Sequence, residues 1–339
     1  MKQTIKMKVL FYIIILTSIF GCKNDEKFSE VKKLSEFPKT TFNPTLENKI
    51  SADKNSIYCS TLLFAWDEIR KEINSPFTIS SEYTELNLLN NSKSFINVLK
   101  TDEFNSSIEI DGELIKARAE FSKSLPFEFK LQSYTNKLVF DNQKVASFGV
   151  NGYSSDDELK IVEIIYYKND HNFIIKLLPK NKKHEIILFK TEQNFNSMAE
   201  MNVQIEKLTK IGNSEITNDK LNWKYYIGEE DELIIPKFDF NIETNFASRE
   251  GKNFSTKTQN FLIKKAWQRT AFILDESGAE IESEAEIYAD STSVDEELEK
   301  PKPKKMIFDK PFLILLKRTD AKNPYFGLWA TNTELMLKE

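Results

Sequence analysis

The 339-residue sequence predicts an α+β fold, with helices near the start and many strands after them. Three observations carry that prediction. Apolar residues recur at helical spacing over residues 57–73 and 87–99. From residue 108 onward the apolar runs alternate, or form short blocks bounded by Asn, Asp, Gly or Pro. Finally, 40% of the residues are hydrophobic and 12% aromatic, with 26 phenylalanines, which is enough to bury a sizeable core.

The first 21 residues read as a signal peptide. Lys2, Lys6 and Lys8 form a basic start. Residues 9–20 are an apolar run of about a dozen residues, too short to span a bilayer, and Gly21-Cys22 closes it. Ile19-Phe20-Gly21-Cys22 resembles a lipobox, which implies acylation of Cys22, a palmitate-type anchor, and a new N-terminus there. Loss of residues 1–21 shifts the formal charge from −5 to −8, because three lysines and no acids go with them. Lys23-Asn24-Asp25-Glu26 resembles the surface-export signal of some Gram-negative lipoproteins. The expectation is an outer-membrane lipoprotein, either surface-exposed or facing the periplasm.

Residues 22–50 are polar, carry Pro38 and Pro44, and read as a lipidated tether with one short amphipathic turn near Val31 and Leu34. Residues 51–339 read as a single domain. The spacing of Leu62, Leu63, Trp66, Ile69 and Ile73 predicts a helix over 57–73. Leu88, Leu89, Phe95, Ile96 and Leu99 predict a second over 87–99. Residues 108–115 alternate, and 127–150 hold two alternating runs around Asp141-Asn142. Residues 159–166 and 172–178 predict paired strands turning at Asn169-Asp170, and 184–189 another strand. Met198, Met201, Ile205 and Leu208 return to helical spacing over 195–210, and 232–240 is a strand run. Residues 271–274 and 312–316 are short apolar blocks typical of buried strands. Residues 279–305 are glutamate-rich, then lysine–proline-rich, bury apolar surface poorly, and predict an exposed loop.

Composition argues against enzymes and nucleic-acid binders. Two histidines leave little for a metal centre or a histidine base, and nine glycines leave little for a phosphate-cradling loop. His171 and His184 both read as solvent-facing turn residues. The carboxylate runs Asp156-Asp157-Glu158 and Glu229-Glu230-Asp231-Glu232 sit beside turn signals and read as solvated edges. There is no GxSxG, Walker lysine or HExxH. With Cys22 acylated, Cys59 has no intramolecular partner and reads as a buried small residue. Charges of both signs are mixed throughout, without the concentrated basic face that nucleic acid needs.

The informative stretch begins at Phe272. After Asp275-Glu276-Ser277-Gly278 the chain alternates: Ala279, Ile281, Ser283, Ala285 and Ile287 share one face of an extended chain, and Glu280, Glu282, Glu284 and Glu286 the other. Asp275-Glu276-Ser277-Gly278-Ala279-Glu280 resembles the hinge of the serpin family, Asp/Asn-Glu-x-Gly-Thr-Glu, with Ala279 for the usual Thr or Ser. Phe308-Asp309-Lys310-Pro311-Phe312 and Tyr325-Phe326-Gly327-Leu328 resemble the two strands that follow the serpin reactive loop. Upstream, Leu233-Ile234-Ile235-Pro236-Lys237-Phe238 is similar to a serpin Leu-Pro-x-Phe strand. Ile164-Ile165-Tyr166-Tyr167 and Phe173-Ile174-Ile175 are similar to its paired core strands, and Asn55-Ser56-Ile57-Tyr58-Cys59-Ser60 to the start of an early helix. The resemblance covers roughly a third to a half of the chain. The body is shorter than a usual serpin, and the family's Asn-Ala-x-Tyr-Phe-Lys-Gly-x-Trp segment has no counterpart.

The resemblance implies large mixed β-sheets, an exposed reactive-centre-type loop at about 279–306, and inhibition of a serine-type endopeptidase. The protease cleaves the loop, which then enters the main sheet as a strand and distorts the acyl-enzyme before it hydrolyses. The implied hinge residues are Glu276, Gly278, Ala279, Glu280, Ile281, Ser283 and Ala285. Family spacing puts the scissile bond at Thr292-Ser293, with Lys304 and Lys305 as alternatives. Departures from the family bear on rate: Ile281 is bulky where the sheet must first open, and overpacking costs about 1–3 kcal/mol. The hinge is therefore degenerate for inhibition, and the alternative is a non-inhibitory binding module of the same fold. Expected partners are a serine protease and, through the lipid anchor only, the membrane. No catalytic residue, cofactor, metal or nucleic acid is expected, and the chain is expected to be a monomer.

Overall fold

The computed structural model describes residues 28–111, 114–281 and 302–339. Residues 1–27, which include the expected signal peptide and Cys22, and residues 282–301 lie outside the described residues. The chain opens with β1 (Lys32–Lys33), β2 (Thr40–Asn43) and β3 (Asn55–Cys59). β2 pairs in parallel with β3, and Phe42, Leu46 and Ile50 are buried. Residues 40–50, expected as tether, are thus part of the folded body. Their apolar residues are sparse, and the surfaces that bury them lie far along the chain.

The helix expected over 57–73 is a strand followed by a helix. Ile57, Tyr58 and Cys59 end β3, and α1 (Thr61–Ile73) starts after Ser60. Asn74, at φ 46, closes α1 with a left-handed cap. β4 (Thr78–Ile79) and α2 (Thr84–Asn91) follow. α2 stops short of the expected Leu99 because Ser92 and Ser94 turn inward on each other. Their hydroxyls lie 2.8 Å apart, and the Ser94 N–H donates to Ser92 Oγ at 3.2 Å, an alternative to the helical ladder.

β5 (Asn105–Asp111) and β6 (Leu114–Glu120) form an antiparallel pair, so the alternation over 108–115 belongs to two strands. β7 (Lys123–Pro126) is followed by β8 (Gln132–Phe140) and β9 (Gln143–Asn151), joined by Asp141 and Asn142 at φ 44 and 60. Positive φ at both positions suits the twist of a two-residue hairpin, as that Asp-Asn pair signals. Next come α3 (Asp156–Leu159), capped by Ser155 and Glu158, and then β10 (Val162–Asn169), β11 (Asn172–Leu177) and β12 (His184–Lys190). α4 (Met198–Glu215) starts at Ser197, whose hydroxyl accepts the Glu200 N–H.

The strand run over 232–240 breaks at Lys237 into β13 (Glu232–Pro236) and β14 (Phe238–Asn245), which enter different sheets. β15 (Asn253–Ser255), β16 (Asn260–Leu262), β17 (Trp267–Asp275), β18 (Gly278–Ile281), β19 (Lys305–Ile307), β20 (Phe312–Arg318) and β21 (Phe326–Ala330) complete the order.

Two large sheets carry the fold. One has seven strands in the order β10-β11-β12-β20-β21-β3-β2, the other five in the order β1-β14-β17-β18-β7. A third joins β19-β13-β9-β8. All three mix parallel and antiparallel pairs. The phenylalanines explain how the two large sheets adhere. Phe272 of β17 stacks on Phe326 of β21 with ring centroids 4.6 Å apart, and Phe238 of β14 meets Phe312 of β20 at 6.2 Å. The chain adopts the α+β class that its sequence predicts, with large mixed sheets and early helices. No helix among the described residues is long and apolar enough to cross a membrane.

Candidate functional site

The site grows from β17. Gln268, Thr270, Phe272 and Leu274 of that strand are buried, and Trp267 to Leu274 pair with β14. At its end the Ser277 N–H donates to Asp275 Oδ1 at 2.7 Å, which turns the chain back. Gly278 then lies at φ +137, and a Cβ there would sit 2.4 Å from the Leu125 carbonyl oxygen. Both the backbone angle and the close approach demand glycine.

Beyond the turn, β18 is already a strand inside the five-stranded sheet. It pairs antiparallel with β17 through Ile273↔Glu280 and Leu274↔Ala279. On its other edge it pairs antiparallel with β7 through Ala279↔Leu125 and Ile281↔Lys123. The loop expected from 279 therefore does not begin there. Ala279 is fully buried, and residues 279–281 are sheet, because a small residue after Gly278 fits the narrow space between two strands. The turn is tied down from β7 and the chain beyond it: Phe127 N–H donates to the Ser277 carbonyl and Leu131 N–H to that of Glu276. The Glu276 carboxylate meets the Lys237 ammonium at 2.5 Å. Burial pushes that carboxyl up, but the Lys237 hydrogen bond and charge outweigh burial, and its pKa lies below the usual value.

The gap is shallow. β7 is four residues long, and all four pair with β18. Residues 267–272 of β17 have no strand partner on that edge among the described residues. Ser283, Ala285, Thr292 and Ser293 lie outside the described residues, so the structure brings together only the first five expected hinge positions.

Lys123, the first residue of β7 and the partner of Ile281, belongs to a charged node that local sequence does not signal. Glu103 accepts from Arg318 Nη1 at 2.6 Å and from Lys123 Nζ at 3.2 Å, and lies 3.0 Å from His184 Nε2. His184 is 2% exposed, which corrects its expected place in a solvated turn. Burial lowers its imidazole pKa, with Glu103 pulling the other way. For Glu103, burial raises the pKa, but the Lys100 N–H, Lys123 and His184 bring it down to about 2. These partners lie from 20 to 215 residues away along the chain, apart from Lys100, so no spacing rule finds them.

The C-terminal end of the expected loop is also inside the fold. Lys304, an alternative scissile position, is 3% exposed and its ammonium pairs with Asp231 at 2.5 Å. That burial rules it out as a presented bond, and it corrects the reading of Asp231 as part of a solvated edge. Lys305 is exposed but belongs to β19, which pairs with β13. Cys59 is buried as expected, and burial raises its thiol pKa. Among the described residues no group of three or more His, Cys, Asp and Glu could hold a metal ion.

No protein-family model and no curated protein matches the chain. Solved structures similar to it include Serpin48 of the insect Tenebrio molitor, at 15% identity and TM-score 0.34, over 60% of this chain and 52% of that one. Serpin-12 of Manduca sexta is similar at 12% identity and TM-score 0.35, over 61% and 53%. A serpin from the trematode Schistosoma haematobium matches at 12% identity and TM-score 0.35, over 66% and 58%. The chain therefore covers little more than half the length of these structures.

Proposed function

We propose that the chain is a serpin-like envelope lipoprotein, not an enzyme, which offers the segment between β18 and β19 to a serine-type endopeptidase. One observation carries the reading: the segment after Gly278 is accepted as a strand between β17 and β7. The sequence motifs support it, since those at residues 164–167, 173–175, 233–238, 275–280 and 325–328 fall on strands of these three sheets or on the turns beside them. Cys22 anchors the chain to the outer membrane in this reading. In the inhibitory form of the mechanism, cleavage beyond Ile281 frees more chain to extend β18 along β17, gaining ladder hydrogen bonds.

The second reading is a non-inhibitory module, and a specific observation favours it. All of β7 is already paired, so a longer β18 would find a partner on one edge only. Insertion with half its ladder releases less free energy, and a protease then has time to hydrolyse its acyl intermediate and leave. The detergent-solubilised full chain, mixed with elastase-, trypsin- and subtilisin-like enzymes, separates the two. An SDS-stable complex with the protease supports the inhibitor. Clean cleavage without a complex, and without a rise in Tm, supports the non-inhibitory module. A chain that resists all three enzymes between residues 281 and 304 sinks both.

A further inference from the structure

We infer that Lys304 and Asp231 form a latch that keeps the C-terminal foot of the loop on the sheet, whether or not the chain between Ile281 and Lys304 is intact. Asp231 holds Lys304 twice. Oδ1 accepts the backbone N–H of Lys304 at 2.5 Å and Oδ2 the ammonium at 2.5 Å. Oδ2 also accepts the Gly228 N–H at 2.7 Å, which fixes the turn that presents the carboxylate. The ammonium donates to the Trp223 carbonyl at 3.1 Å and lies 5.3 Å and 5.8 Å from the ring centroids of Trp223 and Tyr226. Both side chains of the pair are at most 5% exposed.

The residues that follow are held just as closely. Lys305 N–H donates to Asp170 Oδ1 at 2.8 Å, and Lys305 to Ile307 pair in parallel with Glu232 to Ile234. The buried Lys190 ammonium donates to the Ile307 carbonyl at 2.6 Å. A protease needs several consecutive residues in extended, accessible form. Freeing Lys304 would strand a charge in a buried place, and separating such a pair is strongly unfavourable. Bonds after Lys304 and Lys305 are therefore withheld, and cutting is confined to the N-terminal side of Lys304. The same latch retains the C-terminal fragment after a cut, because β19, β20 and β21 stay seated in two sheets. Its use by the cell rests on the loop-presenting reading above, but the latch is tested without any target protease, so either can fail alone.

The test is limited tryptic digestion of the detergent-solubilised full chain, with fragments identified by mass. In the parent chain, tryptic cleavage after Lys304 and Lys305 is expected to be absent, whereas a glutamyl endopeptidase cuts between Ile281 and Lys304, where Lys300 and Lys302 each precede proline and give trypsin no bond. Asp231→Asn keeps the shape and removes the counter-charge, and should speed cleavage after Lys305 at least about tenfold, as the open population rises. Lys304→Met fills the aromatic box without charge, keeps Lys305 as reporter, and serves if Asp231→Asn fails to fold. Cleavage after Arg249, which is also buried, is the control: a mere fall in global stability raises both rates, whereas loss of the latch raises only the one after Lys305. Ready tryptic cleavage after Lys304 or Lys305 in the native parent, or equal rates in parent and variant, overturns the latch, as does a parallel rise after Arg249.

Discussion

Glu103→Gln should cost this protein about 3 kcal/mol at neutral pH and almost nothing in strong acid. The side chain is 13% exposed and is shared by Lys123 of β7, His184 of β12 and Arg318 of β20. Its pKa falls from 4.5 to about 2 in the folded chain. At roughly 1.4 kcal/mol per unit, that depression corresponds to about 3 kcal/mol of stability in the ionised form. Removing one partner of a buried ion pair costs about 3–5 kcal/mol in other proteins, which agrees. Because the folded carboxyl has the depressed pKa, the contribution is fully present above about 4.5 and disappears as pH falls to about 2. His184 adds acid lability of the same sign, since its folded pKa is also lowered and the unfolded chain takes up that proton first. Urea titrations of parent and variant at pH 7 and pH 3 read the difference directly. Heating at pH 7 should show a fall in Tm of about 6 °C, at roughly 2 °C per kcal/mol. A difference below about 1 kcal/mol at pH 7, or one of equal size at both pH values, refutes the node, since that is how an exposed pair behaves.

Three further outcomes are expected. Gly278→Ala, which puts a Cβ 2.4 Å from the Leu125 carbonyl at φ +137, should lose about 1–3 kcal/mol and weaken hydrogen-exchange protection in β18, and full protection would show that the turn has slack. Phe272→Ala empties the contact between the two large sheets and should cost about 3–5 kcal/mol in denaturant unfolding, whereas a loss near zero would mean the sheets do not depend on that ring stack. The Cys59 thiol, buried and raised in pKa, should react with a disulfide reagent only after unfolding, and fast native labelling would contradict its place in the core.

What was legible was local. The hairpin at Asp141-Asn142 follows from two residues that tolerate positive φ between alternating runs. The β10–β11 pair and α4 follow from period alone. Gly278 announces the turn, but Ala279 reads as the start of an exposed loop and lies instead in a paired strand. The failures share one cause. Residues 57–59 have helical spacing, yet they form β3 because β21, distant in the chain, offers its edge through Leu328↔Ile57, Gly327↔Tyr58 and Phe326↔Cys59. Residues 40–50 look like tether because the surfaces that bury them are distant in sequence. Lys304 looks like an accessible basic site until Asp231 and two aromatic rings close around it.

By itself, then, the sequence determined the α+β class, most strand runs, and the glycine-hinged ribbon that suggests a loop-presenting protein, since periodicity and turn chemistry act between neighbours in the chain. Only the tertiary structure decided that the ribbon is already four residues deep in the sheet, and that β7, fully paired, offers it no further partner on one edge. It alone showed that ion pairs hold the residues on both sides of segment 282–301, Glu276 with Lys237 and Lys304 with Asp231. Those properties depend on which strands and charges meet across long separations, and that is settled by packing.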